Sequence, residues 1–495
     1  MLGVVSRYAP ELVDGGFALE VADAPLLHEG LNVADVAHVL VLRERGVIPD
    51  AAARALLGVL RDAVATPWSE FGYDPAHGEV YNCRERRFAA AIGRDAGWLH
   101  AGRPRREAVR IALRLRVRRD VADLVEAAAA FVAAVARVAD AQAETLMVDQ
   151  TYLQHAQPST FGHFLLGSAY PVLRTIDRLN NGLDGINRSP AGAGGVNGSP
   201  LVGDRGRMAA LLGFDGVIEH TRDAMWQSDG LTGLVTDAAT LATTVDRLAE
   251  DLEIYASAEF GWVVLGEGHT RSSVLMPQKR NPYALTIVRG ATGVLIGRAT
   301  GMLALAKSPS ARSDNLIFAY GEVPRALDLA TRATRLMTGV VRDLTVDAGR
   351  MREALYGGFA QAADLAEHLM ATLGLDYRSA YDLVGAAVRR AAAEGLRGVD
   401  LTGAYLDAAA AEAGISAPPV AELDLTAALD PEAIVRGRQT RGGAAPDVVR
   451  GMAKECAAAA DAVSAAVRAR RDGFAEAEAA VLARAGSASG APPSG

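Results

Sequence analysis

The chain has 495 residues, half of them hydrophobic, with 59 acidic against 51 basic side chains and a net charge of −8. This length and apolar content exclude a disordered scaffold and are typical of a globular protein with two or three domains. The negative balance excludes a general basic surface for nucleic acid or anionic lipid, so we expect small anionic ligands instead. A local basic cluster is still present and consists of Arg103, Arg105, Arg106, Arg110 and Arg114.

The cysteines and histidines give no sign of a disulfide framework or a metal site. Only Cys83 and Cys456 are present, and the nine histidines form no metal-binding motif. The start of the chain, 1–9, has no apolar signal core, and no run approaches 18 uninterrupted apolar residues. We therefore predict a cytoplasmic protein without a metal site and without a nucleic-acid or membrane partner.

Helical patterns dominate the chain from its start. Short patterns cover 32–44 and 49–64, and the stretch 105–157 contains neither Gly nor Pro and many strong helix formers. Residues 109–117 alternate like a strand, but the length of the uninterrupted segment favours helix there. We therefore predict one very long helix that breaks near Pro158.

A second long helix is predicted over 232–260. Its apolar residues recur at spacings of four and three, as in a coiled-coil seam, so it must pack against other helices. The seam consists of Leu241, Val245, Leu248, Leu252 and Tyr255.

A third helix carries glycine at every fourth residue, at Gly293, Gly297 and Gly301. One face of this helix therefore lacks side chains, and a neighbouring backbone can approach it closely. No dinucleotide or P-loop motif is present, so tight bundle packing is predicted rather than a phosphate cradle. Helices this long predict a bundle completed by other subunits, and hence a homo-oligomer.

These patterns predict an all-α protein with three domains and a tail. The domains are an N-terminal helical domain over 1–104, a central long-helix bundle over 105–350 and a C-terminal helical domain over 351–485. Residues 486–495 contain only Gly, Ser, Ala and Pro, and we predict that they are disordered.

The stretch 272–282, Ser-Ser-Val-Leu-Met-Pro-Gln-Lys-Arg-Asn-Pro, combines a hydroxyl, a cation and a carboxamide. Proline on both sides of 278–281 forbids a continuous helix, and two glycines just upstream leave the entry flexible. The pattern predicts a catalytic lid over 266–282; the alternative is a solvated surface turn.

In such a lid, Ser273 could reach a substrate proton while Lys279 and Asn281 hold a carboxylate. This is what an elimination next to a carboxylic acid requires, because the carbanion needs a positive charge and hydrogen bonds that are already in place.

Five blocks in the right order resemble the fumarase and aspartase superfamily, and within it argininosuccinate lyase. The lid resembles G-S-S-x-M-P-x-K-x-N-P, with the glutamine that is typical of argininosuccinate lyases. Residues 99–107, LHAGRPRRE, resemble L-H-T-A-R-S-R-N-D, and residues 151–158, TYLQHAQP, resemble T-H-L-Q-R-A-Q-P. Residues 211–217 and 442–446 resemble two further blocks of the family.

The resemblance implies a three-domain fumarase/aspartase-like subunit whose long helices form a twenty-helix core in a homotetramer, with each active site drawn from three subunits. The implied activity is that of a carbon–nitrogen lyase that eliminates an amine from an N-substituted aspartate and releases fumarate, without cofactor or metal. The implied partners are this small anionic substrate, fumarate and further copies of the chain.

The resemblance also implies roles for individual residues. Ser273 matches the general base, and Lys279 and Asn281 match residues that steady the aci-carboxylate formed when the proton leaves. Arg105 and Thr151 match positions that bind the substrate's carboxylates. Gln154, in the same block as Thr151, is assigned to substrate binding as well.

The chain departs from the family pattern at sensitive positions. Tyr152 stands where the family has a histidine, and Thr286 stands where argininosuccinate lyases have the glutamate on which that histidine leans. Either Tyr152 itself or another proton donor then serves the leaving group. His155, expected one helical turn from Tyr152, is a second candidate, with a structural hydrogen-bonding histidine as the alternative.

Substrate-binding positions have also changed. Arg106 replaces an asparagine and would favour a more anionic ligand, and Arg312 lies where the family's Y-N-K-D region has lost its tyrosine and lysine. This pattern favours a lyase that has kept its chemistry and changed its leaving group. The alternatives are an authentic argininosuccinate lyase of arginine biosynthesis and, from another class, a catalytically silent, crystallin-like helical oligomer.

Overall fold

The computed structural model describes residues 8–309 and 315–488, and helices dominate these ranges. The strands found there are short and form three antiparallel pairs rather than a larger sheet. The prediction of an all-α fold is therefore confirmed. The candidate Arg312 lies outside the described residues, as does 489–495 of the predicted disordered tail.

The N-terminal segment consists of short helices followed by two longer ones that carry most of its core. Apolar residues of the 24–44 helix are buried along nearly its whole length, because other helices cover it on several sides. The helices are α1 (Pro10–Leu12), α2 (Ala18–Val21), α3 (Ala24–Glu44), α4 (Asp50–Ala65) and α5 (Val80–Ile92).

The central segment holds the longest helices of the bundle, and the first of them contacts the N-terminal helix α3. Its elements are α6 (Arg105–Ala141), β1 (Leu146–Thr151), β2 (Gln154–Thr160), α7 (Phe161–Ile186), α8 (Arg205–Leu211), α9 (Thr221–Trp226), α10 (Asp229–Tyr255), β3 (Val263–Val264), β4 (Arg271–Ser272), β5 (Arg280–Asn281), α11 (Tyr283–Ala306) and α12 (Ala319–Asp343).

The very long helix predicted over 105–157 is wrong in its second part. The helix ends at Ala141, and β1 and β2 then form an antiparallel hairpin with Thr151 opposite Gln154. Helix propensity was outweighed by tertiary structure there, because Met147 and Val148 of β1 enter the core. The alternating stretch 109–117 is helical, as predicted.

The seam predicted for the second long helix is confirmed. All five of its residues are buried within α10, which packs against α7, α11 and α12. The alternation of spacings by four and three thus identified the buried face correctly.

The glycine face of α11 is open within the chain. Apart from the helix itself, no described atom lies within 4 Å of where a Cβ would stand at Gly293, Gly297 or Gly301. Ile287, Val294, Ile296 and Leu303 of the same helix are also exposed. The close approach predicted for these glycines therefore involves none of the described residues of the same chain.

The C-terminal segment separates into two parts. Most helices between 362 and 429 share a small core of their own, whereas the last helix lies along α6 and joins the main core. That helix continues through residues 486–488, where disorder was predicted, and the three-domain division stays a prediction. The elements are β6 (Thr345–Val346), α13 (Ala348–Gly357), α14 (Ala362–Leu373), α15 (Tyr377–Glu394), α16 (Gly403–Glu412), α17 (Thr426–Leu429), α18 (Pro431–Gly437) and α19 (Pro446–Ala488).

The helices differ in length and in apolar character. Across the described ranges, none combines the length and apolar character needed to span a membrane.

Candidate active site

The predicted lid is a loop closed at its base by the short pair β4 and β5. Arg271 lies opposite Asn281 in this pair, and the Asn281 side-chain amide donates a hydrogen bond to the Arg271 carbonyl at 3.0 Å. The Ser273 backbone N–H donates to the Lys279 carbonyl at 3.3 Å. Ser273, Lys279 and Asn281 therefore lie on one small loop.

The Ser273 hydroxyl oxygen accepts hydrogen bonds from two backbone N–H groups inside this loop. Leu275 donates at 3.2 Å and Met276 at 3.0 Å. Two donors on one hydroxyl oxygen favour its deprotonated form, because they stabilise the negative charge that forms when the proton leaves.

The tip of the lid is exposed. Val274 is fully exposed, Leu275 is 82% exposed, and Lys279 is exposed as well.

Tyr152 lies at the end of the hairpin, between Thr151 and Gln154. Tyr152 and Leu153 have φ values of 55° and 58°, the left-handed region that residues other than glycine rarely adopt. Backbone strain of this kind costs about 1 to 3 kcal/mol per residue and concentrates at functional sites. Tyr152 is 97% exposed, so the strained turn presents its phenol ring to the surroundings.

His155 lies on strand β2, opposite Gln150, and not one helical turn from Tyr152 as predicted. The reason is the hairpin, which replaces the expected helix. The imidazole is exposed. Gly358 has no Cβ, but the position that a Cβ would occupy there is only 3.2 Å from the His155 Nδ1 atom. The ring therefore packs against the segment that follows α13. Thr151, Gln154 and His155 thus share the hairpin with Tyr152.

Arg105 and Arg106 begin α6 and line a cavity of about 910 Å³. The Arg105 Nε donates to both carboxylate oxygens of Glu85, at 3.1 and 3.0 Å. The Arg106 guanidinium donates to Glu20 at 2.5 Å. Two cations are therefore held at the wall of a cavity large enough for a small anionic ligand.

Glu85 is shared between two basic partners, since His100 pairs with it as well as Arg105. Burial alone would raise the pKa of Glu85, but His100 and Arg105 hold it below its ordinary value. The carboxylate therefore stays ionised and keeps Arg105 oriented.

A buried ion network fixes the start of α6 against the N-terminal helices. Asp35 of α3 accepts hydrogen bonds from Arg84 at 2.7 Å and from Arg103 at 2.5 Å, and all three side chains are buried. Burial opposes ionisation of Asp35, but the two guanidiniums hold its pKa below the ordinary value. Arg103 immediately precedes the turn into α6, so this network positions Arg105 and Arg106.

Glu107 fixes a glycine-rich loop beside the same cavity. Its carboxylate accepts hydrogen bonds from the backbone N–H groups of Gly192, at 2.7 Å, and Gly194, at 2.8 Å. Burial raises the pKa of Glu107, while the two N–H groups act in the opposite direction. The loop contributes Gly194 and Ser199 to the cavity wall.

Sequence reasoning did not predict the carboxylates of this site. Glu85 and Glu20 come from segments far from Arg105 and Arg106 in the chain, so no spacing pattern links them. Glu107 directly follows the two arginines in the sequence, and this adjacency was the one available indication that its carboxylate lies near the cavity.

The candidate residues at the cavity are separate from those of the hairpin tip and the lid. The cavity is lined by Arg105 and Arg106 but by no residue of the hairpin tip or the lid. Among the described residues, no group of three His, Cys, Asp or Glu side chains is arranged to hold a metal ion.

Comparison with known proteins identifies the family. The family described as lyase matches residues 33–297, and the family described as argininosuccinate lyase C-terminal matches residues 359–436. Argininosuccinate lyase of Halobacterium salinarum is 36% identical over 441 residues, which are 88% of this chain and 87% of that protein. Argininosuccinate lyase of Natronomonas pharaonis is 34% identical over 468 residues, or 93% and 92% of the two chains.

Solved structures agree with this assignment. An EDDS lyase variant with bound fumarate has a TM-score of 0.86 and 25% identity, and the match covers 98% of this chain and 96% of that one. Class II fumarase from Schistosoma mansoni, at 15% identity, a TM-score of 0.68 and coverage of 86% and 95%, shows the same fold. The chain therefore belongs to the fumarase and aspartase superfamily, is argininosuccinate-lyase-like within it, and is a carbon–nitrogen lyase.

Proposed function

We propose that the chain catalyses the reversible elimination of an amine from an N-substituted aspartate, with release of fumarate. Ser273 Oγ takes a proton from the carbon beside one carboxylate, and the electron pair left on that carbon forms the new double bond. The carbon–nitrogen bond breaks, its electron pair stays on nitrogen, and a proton donor protonates the leaving amine.

The hydrogen bonding of Ser273 is the observation that carries this proposal. A serine hydroxyl is a poor base in water, but the two backbone donors on its oxygen stabilise the alkoxide needed for proton abstraction. Lys279 and Asn281 on the same loop then stabilise the aci-carboxylate. Each such contact is typically worth about 3 to 4 kcal/mol, or roughly a thousandfold in rate.

Substrate binding is assigned to groups at the cavity and the hairpin. Arg105 and Arg106 bind carboxylates of the substrate, which replace Glu85 and Glu20 as partners of the two guanidiniums. Thr151 and Gln154 contribute polar side chains beside the hairpin tip, and Asn281 contributes its amide from the lid. Arg312 keeps its predicted role in substrate binding as part of this proposal.

Tyr152 is our candidate for the acid that protonates the leaving amine. Its phenol is a donor, and the strained turn holds it at the exposed tip of the hairpin. His155 remains the second candidate, because its imidazole is exposed on the same hairpin. Thr286, which stands where argininosuccinate lyases have a glutamate, offers only a neutral hydroxyl.

A shared active site in a homotetramer is part of the proposal. The cavity is lined by no residue of the hairpin tip or the lid, and the lid tip and the glycine face of α11 are exposed. Helices from other subunits would cover α11 and bring a lid and a hairpin of neighbouring copies to the arginine cavity.

The test is fumarate consumption, followed by absorbance near 240 nm, with a panel of amines and amino acids. Argininosuccinate is included in the cleavage direction, because the curated relatives are named argininosuccinate lyases. We expect turnover with at least one amine, and its loss in Ser273→Ala.

The outcomes separate the remaining alternatives. Cleavage of argininosuccinate in preference to all other substrates would identify an ordinary argininosuccinate lyase. No turnover with any amine, together with no detectable fumarate binding, would contradict the proposal and favour a silent helical oligomer.

A further inference from the structure

His269 lies at the root of the lid, 266–269, and contacts the end of helix α12. Its Nε2 atom lies 3.0 Å from the Oδ2 atom of Asp343, the last residue of α12. Arg342 donates to both oxygens of the same carboxylate, at 2.7 and 2.8 Å, and together with His269 it holds the pKa of Asp343 well below the ordinary value. An ionised carboxylate only accepts hydrogen bonds, so the His269 Nε2 atom is the donor.

The imidazole fits into a space that a glycine of α12 leaves open. Gly339 lies one turn before Asp343 on the same face of the helix. The position that a Cβ would occupy at Gly339 is only 2.9 Å from the His269 Cε1 atom. The His269 side chain is 16% exposed, against 39% for Asp343. The ring is therefore held between Gly339 and Asp343 and is mostly covered.

The backbone of the root approaches the same end of α12. At Gly266, the position that a Cβ would occupy is 3.0 Å from the Asp343 carbonyl oxygen. Strands β3 and β6, which precede the root and follow α12, pair with Val264 opposite Thr345. The missing side chain of Gly266 thus permits close packing of the root against the helix.

Beyond the root, the lid has few attachments to the rest of the chain. Within 271–280, every residue except Ser273 is exposed. The Ser273 and Asn281 side chains make their hydrogen bonds to other residues of the lid. Across the described ranges, His269 is the one residue of 266–282 whose side chain forms a hydrogen bond or ion pair with an element outside the lid. This contact therefore decides how firmly the lid is held.

We propose that His269 is a positioning residue for the lid. Its hydrogen bond to Asp343 holds the root against α12, so that motion of the lid begins only after residue 269 and the Ser273 oxygen has a limited set of positions. A reacting group must be held close to its productive position, and looser placement lowers the rate. This inference rests on the proposed role of Ser273, and it adds a residue that contacts neither the substrate nor the reacting atoms.

The first test separates the hydrogen bond from the space that the ring fills. His269→Gln keeps an N–H donor, whereas His269→Leu keeps apolar bulk beside Gly339 and has no donor. With fumarate and the amine of the panel that gives the fastest turnover, we expect His269→Leu to lower kcat by about fivefold or more. KM for fumarate should change by less than about twofold, because Arg105 and Arg106 are not on the lid. His269→Gln should recover most of the lost rate.

His77→Leu is the matched control for this substitution. His77 also faces an aspartate, Asp74, at 3.9 Å, but in the N-terminal segment. We expect its kcat to stay within about twofold of that of the unmodified protein. A loss of kcat that is equal in His269→Leu and His269→Gln would overturn the inference, since the donor would then play no part.

Gly339→Ala tests the same contact from the side of the helix. The added methyl group must displace the imidazole, because 2.9 Å is too close for two carbon atoms. Alanine is a better helix former than glycine, so the thermal midpoint should stay the same or rise while kcat falls by about threefold or more. In a His269→Ala background, where no ring is left to displace, Gly339→Ala should change kcat by less than about twofold. Equal losses in both backgrounds would contradict a role of the ring.

Hydrogen–deuterium exchange measures the attachment of the lid without turnover. The backbone N–H groups of Ser273 and Lys279 are hydrogen-bonded inside the loop. In His269→Leu they should exchange at least about threefold faster than in the unmodified protein, while peptides from α10 should exchange as before. Unchanged exchange in the lid, or unchanged kcat, would overturn the inference.

These measurements also separate the inference from the proposed function. If no amine is turned over but exchange in the lid depends on His269, the lyase proposal fails and the attachment of the lid through His269 stands. If turnover occurs and neither kcat nor exchange responds to His269→Leu, the lyase proposal stands and this inference fails.

Discussion

The side-chain oxygen of Ser273 accepts a hydrogen bond from the backbone N–H of Met276 at 3.0 Å. This contact, with a second from Leu275, fixes the hydroxyl within the lid and favours its ionised form. Ser272, the preceding residue, is exposed and pairs with Arg280 only through the backbone of the short ladder. The two adjacent serines therefore differ in the hydrogen bonding of their hydroxyl oxygens, and the two backbone donors on Ser273 are what a base requires.

Ser273→Ala should lower kcat by about a thousandfold or more, because the proton acceptor is lost while the lid keeps its backbone pairing. Ser272→Ala should change kcat by less than about threefold. Steady-state rates of fumarate formation check both values. Equally large losses of kcat in the two variants would show that the lid tolerates no change, and would remove Ser273 as the specific base.

Tyr152→Phe should lower kcat by more than about tenfold, because it removes the hydroxyl and keeps the ring. The substitution leaves the strained turn in place, since Phe and Tyr meet the same backbone restriction. Leu153→Met, on the same turn, is the control and should alter kcat by less than about threefold. A Tyr152→Phe protein with unchanged kinetics would leave His155 as the remaining candidate acid.

Mixed oligomers should recover activity from two inactive variants. Arg105→Ala damages the cavity and Ser273→Ala damages the lid, and these parts lie apart in one chain. If neighbouring copies supply them to one site, random mixing leaves some sites with both parts intact. The measurement is kcat per site after unfolding and refolding the two variants together, with each variant refolded alone as the control. Verified mixed oligomers without activity would contradict the shared site.

Asp35→Asn should lower the free energy of unfolding by about 3 kcal/mol or more, because it leaves two buried guanidiniums without their anion. Asp50→Asn is the matched control, since Asp50 is half exposed and its pair with Arg43 is worth less than about 1 kcal/mol. Urea midpoints at one fixed subunit concentration check both values. Similar losses for the two variants would contradict the structural role of Asp35.

The stability difference between the unmodified protein and Asp35→Asn should also depend on pH. The two guanidiniums hold the pKa of Asp35 below its value in the unfolded chain, which is about 3.9. Its contribution is therefore fully present above that value and is lost as the pH falls through the lower, folded pKa. The difference in thermal midpoint should stay constant from about pH 7 to pH 5 and shrink below about pH 4.

Much of the fold could be predicted from the sequence because its helices are long and their apolar residues are regularly spaced. The seam of α10 is an example, since Leu241 and Tyr255 lie at its two ends and both are buried. The hairpin could not be predicted, because its turn contains Tyr152 and Leu153 instead of the glycine or asparagine that usually marks a left-handed turn. Strand pairing, and not the turn residues, imposes that backbone.

The loop over 272–282 could be predicted for a different reason. Two prolines exclude a helix there, so the polar residues between them required another explanation, and the structure places Ser273, Lys279 and Asn281 on one loop. The carboxylates around the arginines could not be predicted, because Glu20 and Glu85 approach α6 only through the packing of separate helices. A single sequence contains no pattern that predicts such long-range contacts.

The left-handed turn at Tyr152 and Leu153 has one more consequence, for how such proteins diversify. Because side chains that are not branched at Cβ, such as Tyr and Leu, meet a similar steric penalty there, exchanging one such group for another leaves the backbone of the loop unchanged. The side chain at this position can therefore change during evolution while the hairpin backbone is retained. A new reaction partner can then be acquired without a new fold.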